Sequence, residues 1–207
     1  MTTKNLDTYY DPLTNRTLFV RPKPFLLKNV FSDEDFLNIK NKIQFEKDNS
    51  ILQYAKFLGR FSIIKENFLQ DEHNILLEKA RGIFSKDLLP TYCAYGLYKG
   101  FRANLPKHVD DNGCTYTIDL CVSYKTRWPI FVEGQEFDPQ ENEAVCYYGE
   151  DQYHWRNEFT DPSNNEVEMI FFHFAEPEHW YFTIGPNHKE EIVRLRIEHE
   201  NKIGKIK

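Results

Sequence analysis

The sequence predicts an α+β fold, mainly β, in which helices cover one side of an antiparallel sandwich or barrel. Three observations predict it. Two segments with helical spacing of apolar residues fall within the first ninety positions. From Thr91 onward the pattern shortens to strand-length runs separated by turn residues. Phe and Tyr are unusually frequent, at 17 and 12 of 207 residues, and several of them (Tyr92, Tyr95, Tyr98, Tyr116, Phe131) stand in those runs. Helices first and strands afterwards is an α+β order.

After a polar start, Phe25-Leu26-Leu27 reads as a strand. Ser32 is placed to cap a helix running to about Phe45, with Asp35 at its third position and Phe31 able to staple against Phe36. A second helix, from about Asp71 to Phe84, puts Leu76, Ala80 and Ile83 on its apolar face and ends near Leu89-Pro90. His73, between Glu72 and Asn74, reads as solvated. Strands follow at about 91–98, 115–124, 130–132, 144–148, 167–174 and 180–184. The breaks hold Lys99-Gly100, Asp111-Asn112-Gly113, Glu133-Gly134 and Asp161-Pro162-Ser163, all turn chemistry. Asn187, with Glu190 three residues on, predicts the cap of a final helix.

One domain is expected over 1–207: an N-terminal strand and helices at about 20–90, a β core at about 91–185, and a helix or tail at about 187–207. There is no internal repeat and no linker-like tract. A net charge of −6 argues against nucleic acid as a partner. With no apolar signal core and no run of membrane-spanning length, a soluble, cytoplasmic protein with no membrane association is expected. Cys93, Cys114, Cys121 and Cys146 form no C-x-x-C pair and read as reduced core thiols.

The chemistry concentrates in His108-Val109-Asp110, at the end of one strand run, and in His154-Trp155-Arg156, after another. In extended chain, residues two apart project from one face, so His108 and Asp110 can offer an imidazole and a carboxylate to one point. His154 can complete the set from a neighbouring strand. Two imidazoles and one carboxylate on one face of an octahedral metal leave three positions open, the arrangement of non-haem iron(II) oxygenases. His188-x-Glu190 repeats the spacing, but in a helix or tail residues two apart diverge.

These residues carry a family resemblance. Tyr98-x-Gly100 stands eight residues before His108-Val109-Asp110; the 115–124 strand follows; Ala144-Val145-Cys146-Tyr147-Tyr148-Gly149 then leads to His154. Over about 92–174, and more loosely over 25–45, the chain resembles the 2-oxoglutarate/Fe(II) oxygenases, nearest to the prolyl-hydroxylase-like branch. The resemblance implies a double-stranded β-helix core, Fe(II) held by His108, Asp110 and His154, and 2-oxoglutarate and O2 as cosubstrates. It gives Tyr98 a part in holding 2-oxoglutarate. The implied reaction is hydroxylation of an unactivated C–H bond in a small molecule or a peptide residue. Halogenating relatives carry a small residue at the position of Asp110, which disfavours halogenation.

The chain departs from the family pattern in one respect. The family places an Arg or Lys about ten residues beyond the distal histidine, whereas 157–188 contains neither. Arg156 is the expected substitute, since a guanidinium two residues after His154 on the same strand face can grip a carboxylate bidentately. Arg102, Lys125 and Arg127 are held in reserve. His173 shares a strand face with Val167, Met169 and Phe171 and should project into the barrel, more as a core residue than a functional one. Trp128 and Trp155 suit packing or a substrate entrance, and Asp111 a turn. Two alternatives use the same core: a cupin-like metal enzyme without 2-oxoglutarate, and a non-catalytic binding module.

Overall fold

The computed structural model describes residues 8–11, 16–19, 22–56, 58–63, 67–100, 103–111, 113–159 and 165–183. In chain order the elements are β1 (Thr8–Asp11), β2 (Arg16–Phe19), β3 (Phe25–Leu27), α1 (Asp33–Asn49), β4 (Leu52–Ala55), β5 (Arg60–Ile63), α2 (Gln70–Phe84), β6 (Leu89–Lys99), β7 (Leu105–His108), β8 (Tyr116–Tyr124), β9 (Ile130–Val132), β10 (Gln135–Phe137), β11 (Ala144–Tyr147), β12 (His154–Arg156), β13 (Glu166–Ala175) and α3 (Trp180–Thr183). Residues Pro24–Pro177 form one compact unit. The chain ends, Met1–Lys23 and Glu178–Lys207, form another, whose described elements are the β1–β2 hairpin and α3.

The larger unit is built on two antiparallel sheets, ordered β3-β11-β8-β13-β6-β5-β4 and β10-β9-β12-β7. From β6 to β13 the chain winds between them, with β6, β8, β11 and β13 in the large sheet and β7, β9, β10 and β12 in the small one. This winding is a double-stranded β-helix.

Period-two alternation explains how the large sheet serves two layers. On its outer face Tyr95, Leu97, Ile118, Leu120, Val122, Ile170, Phe172 and Phe174 pack with Phe36, Ile39 and Ile43 of α1 and Leu76, Ala80 and Phe84 of α2. Each fully buried Leu, Ile or Phe contributes about 1.5–3 kcal/mol, so this layer is the main source of stability. The alternate residues face the barrel: Ala94, Tyr98, Cys121, Val167, Met169 and Phe171 share a second cluster with Trp128 and Phe159.

Ser32 caps α1 as expected, its hydroxyl accepting from the Asp35 N–H at 3.1 Å and donating to the Asp35 carboxylate at 2.7 Å. The helix runs four residues past Phe45, to Asn49. The β9 strand lies at 130–132 as anticipated, and Glu133 and Gly134 turn into β10 with φ of 49° and 82°.

Two expectations need correction. Of the run expected as a strand at 180–184, Trp180–Thr183 is instead a short helix closed by bonds back to the His179 carbonyl. His73 is not solvated: it is 1 % exposed, packs against Phe172 and Phe174, and donates from Nε2 to the His173 carbonyl at 2.9 Å. That carbonyl sits where β13 slips register against β6 beside Pro90, and the Thr91 hydroxyl also donates to it. The β4–β5 hairpin was not anticipated at all. The final helix at 187, Asn112, the 161–163 turn and the His188–Glu190 pair lie outside the described residues. No described helix is long and apolar enough to cross a membrane.

Candidate metal centre

His108 closes β7, His154 opens β12, and the two are direct cross-strand partners. Their rings stand 4.3 Å apart between centroids. Asp110 follows in the loop after β7, held by its N–H donating to the Gly149 carbonyl at 2.8 Å. That loop is fastened to the 148–152 turn a second time, through the Gly113 N–H and the Glu150 carboxylate at 2.8 Å.

The geometry converges on Oδ1 of Asp110, which lies 3.6 Å from His108 Nε2 and 3.3 Å from His154 Nε2. Both imidazoles donate from Nδ1 to the carbonyl two residues back, His108 to Pro106 at 2.7 Å and His154 to Gln152 at 3.0 Å. Placing the proton on Nδ1 leaves each Nε2 with a lone pair aimed at the cluster, the tautomer a metal requires. Burial alone would raise the Asp110 carboxyl, but the charge of His154 and the facing nitrogens of both histidines hold it well below the usual carboxylate range. Burial lowers His154, but the charge and hydrogen bond of Asp110, the Gln152 carbonyl and the Asp119 charge together outweigh it and leave it raised. The three ligand atoms lie within 4.8 Å of one another. A divalent cation would displace the proton that His154 shares with Asp110, and two neutral imidazoles with one ionised carboxylate then fit iron(II).

A second set, Asp110, Cys114 and His173, shares the same carboxylate. His173 does face the barrel, 6 % exposed, with Nδ1 3.0 Å from the Thr117 hydroxyl. Burial pushes it down to about 4, so it is neutral at physiological pH. The Cys114 sulfur meets the Tyr92 hydroxyl at 2.8 Å, and burial holds the thiol well above its ordinary range.

Arg156 stands on β12 two residues after His154 and is 5 % exposed. Its guanidinium lies 4.8 Å from the Trp128 ring centre, donates to the Trp128 carbonyl, and approaches the Met169 sulfur at 3.6 Å. Among the described residues no carboxylate lies within ion-pair distance of it. The reserve residues Lys125 and Arg127 are surface groups paired with Glu166, and with Glu136 and Asp138, so they do not reach the barrel. Arg102 lies outside the described residues. Tyr98 is wholly buried on the same inner face as Met169, with its ring 4.7 Å from Trp128. Trp128 packs inside the barrel wall, whereas Trp155 is stacked on Phe131 and only partly buried. Asp111 is exposed.

Two inward groups escaped the sequence reading. Asp119 of β8 is 1 % exposed; its Oδ2 accepts from the Tyr147 hydroxyl at 2.9 Å and its Oδ1 has no partner. Burial and the Asp110 charge raise it to about 6, against the opposing pull of His154, Tyr147 and Arg156. The other is Arg60 of β5, whose Nη1 reaches the Tyr98 hydroxyl at 3.4 Å. A lone charge amid an apolar strand, as in Ile118-Asp119-Leu120, was the available signal for Asp119.

No family model matches the chain, and no curated protein matches it. Solved structures do. A prolyl hydroxylase from Trichoplax adhaerens, in complex with a hypoxia-inducible-factor peptide, aligns at TM-score 0.54 and 10 % identity over 73 % of this chain and 83 % of its own. EctD from S. alaskensis, with 2-oxoglutarate and 5-hydroxyectoine, aligns at TM-score 0.58 and 11 % identity over 77 % and 74 %. A prolyl-4-hydroxylase from Pseudomonas putida aligns at TM-score 0.52 and 15 % identity over 74 % and 92 %. The chain shares the fold of these 2-oxoglutarate/Fe(II) oxygenases. In this fold the His154 ring reaches from β12 to that of Tyr147 on β11 of the large sheet, 4.8 Å between centroids, while Arg156 approaches Met169 of the inner cluster that also holds Tyr98.

Proposed function

We propose that this protein is a non-haem Fe(II)- and 2-oxoglutarate-dependent oxygenase that hydroxylates an unactivated C–H bond of a small molecule or of an amino-acid residue in a peptide. The observation that carries the reading is the pairing of a metal-type cluster with a buried cation: His108, Asp110 and His154 converge, and two residues beyond His154 stands a buried guanidinium that no carboxylate among the described residues pairs with. A buried charge without a counter-charge is expensive to maintain, and a dicarboxylate cosubstrate would supply that counter-charge. The oxygenase fold and the family resemblance support the same conclusion.

In this reading His108, Asp110 and His154 hold one face of the metal. Bound iron(II) would supply the oxygen-activating redox chemistry, with conversion of 2-oxoglutarate to succinate and carbon dioxide providing the two further electrons. Arg156 receives the far carboxylate of 2-oxoglutarate through its fork of N–H donors. Tyr98, Trp128, Phe159, Met169 and Phe171 form an apolar lining that excludes water from the reacting centre. Four free thiols suit a reducing compartment, and a cytoplasmic location follows from that.

Anaerobic titration of the metal-free protein with iron(II), with and without 2-oxoglutarate, tests the reading. A weak visible charge-transfer band is expected, and it should vanish in His154→Ala. Iron binding with no band on adding 2-oxoglutarate would replace the reading with a metal enzyme of another kind. An absence of iron binding would leave a non-catalytic module.

A further inference from the structure

We infer that Arg60 is a second anion anchor in the barrel, and that the substrate oxidised there carries a carboxylate; the inference rests on the oxygenase reading above. β5 lies outside the β6-to-β13 winding and extends the large sheet beside β6. Its Phe61 pairs with Leu97 and packs toward the helical layer, so Arg60, one residue before, projects to the barrel side.

The sheet makes room for this side chain. A β-carbon on Gly96 would stand 2.8 Å from Arg60 Cδ and 2.9 Å from Phe171 Cε2. The backbone of Gly96 is not left-handed, so glycine serves here as space and not as a turn. Arg60 crosses that gap and lays its guanidinium 4.2 Å from the centre of the Phe171 ring, with Nη1 3.4 Å from the Tyr98 hydroxyl.

What the guanidinium lacks is an acid. Among the described residues its Nε has no partner and no carboxylate pairs with it. The surface arginines do find acids, Arg81 with Glu78 and Asp87, and Arg127 with Glu136 and Asp138. Among the described residues, two inward arginines therefore lack an acid. 2-Oxoglutarate brings two carboxylates, one to chelate the metal and one for Arg156, which leaves Arg60 for the substrate. Arg60 is also only partly buried, as a group met by an entering molecule must be, whereas Arg156 is buried.

The partner is a monoanion. One guanidinium and one hydroxyl against the Phe171 ring can neutralise a carboxylate, while a phosphate dianion would leave a net charge in an apolar wall.

The test uses iron(II)-loaded protein saturated with 2-oxoglutarate under anaerobic conditions, titrated with butyrate or butyramide and read by saturation-transfer NMR on the ligand methyl group. Butyrate should bind and butyramide should not. Arg60→Gln should weaken butyrate by at least about tenfold and Arg60→Lys by less, while 2-oxoglutarate affinity, read from the charge-transfer band, changes by under about threefold. The inference is overturned if wild-type protein does not bind butyrate, if it binds the amide equally, or if Arg60→Gln leaves butyrate binding unchanged. It is equally overturned if Arg60→Gln weakens 2-oxoglutarate as far as Arg156→Gln does, which would make Arg60 the cosubstrate anchor. Should Arg60→Gln fail to fold, Arg60→Lys decides by the same two readouts. A wild-type protein with no charge-transfer band strikes the oxygenase reading instead, and the butyrate comparison on that protein still judges Arg60.

Discussion

A β-carbon on Gly149 would stand 2.4 Å from Oδ2 of Asp110. It would also meet the Cys114 carbonyl at 2.5 Å and the Thr117 hydroxyl at 2.6 Å, so only a hydrogen fits beneath the carboxylate. The turn after β11 thus shapes the metal ligand from below while its carbonyl accepts the Asp110 N–H. Gly149→Ala is expected to displace Asp110, lowering iron(II) affinity by at least about tenfold and stability by roughly 1–3 kcal/mol. Iron titration and urea unfolding check this. Wild-type values in both would mean that the loop yields freely and does not shape the ligand.

Arg156→Gln separates the cosubstrate anchor from the metal site. Removing a buried charge that no described carboxylate pairs with should leave the melting temperature of the cosubstrate-free protein unchanged or higher, since an apolar setting disfavours a buried cation. 2-Oxoglutarate affinity should nevertheless fall by at least about thirtyfold, with iron(II) affinity retained. Thermal melts with and without 2-oxoglutarate read both effects. A variant that keeps its 2-oxoglutarate-induced stabilisation would remove Arg156 from the site.

How much of this was legible in the sequence depended on whether the signal was local. Ser32 with Asp35, the Glu133-Gly134 turn and the alternating 167–174 run are local patterns, and each lies where the sequence placed it. His108 and Asp110 were readable because extended chain puts residues two apart on one face. Neighbours misled for His73: Glu72 and Asn74 are polar, yet His73 lies three and seven residues before Leu76 and Ala80, on the buried face of α2. Trp180–Thr183 has strand composition in a segment too short for propensity to decide. The direction in which Arg60 and Asp119 face was illegible for a different reason. Whether a lone charge on a strand faces solvent or the barrel is settled by the other sheet, which no local window contains.

Asp119 should tune cosubstrate binding through pH. Raised to about 6 by burial and the Asp110 charge, it is ionised at pH 7.5, where it repels a dicarboxylate. Lowering the pH through about 6 neutralises it, so 2-oxoglutarate affinity at saturating iron(II) should rise as pH falls across that range. Asp119→Asn should bind 2-oxoglutarate about two- to tenfold more tightly at pH 7.5 and show a flatter profile. Charge-transfer titrations at a series of pH values measure this, and a profile parallel to wild type would discard the role.

The bond from His73 to the His173 carbonyl joins α2 to the strand that carries His173 into the barrel, and it also sets an acid limit on the fold. Burial lowers both imidazoles from 6.5 to about 4. Between those values the unfolded chain binds more protons than the folded one, so their contribution is complete above about 6.5 and declines as pH falls toward about 4. Each is worth roughly 3 kcal/mol at the bottom of that window. Asp119, raised from 3.8 to about 6, acts with the opposite sign in the same range, so a variant isolates the histidine better than the raw curve does. Glutamine can keep an N–H donor near the position of Nε2 without titrating. His73→Gln should lose about 1 kcal/mol at pH 7, within the worth of one hydrogen bond, and lose less than wild type between pH 6.5 and 4. Urea unfolding across that range measures both; a variant with the full wild-type slope would assign the acid sensitivity to His173 alone.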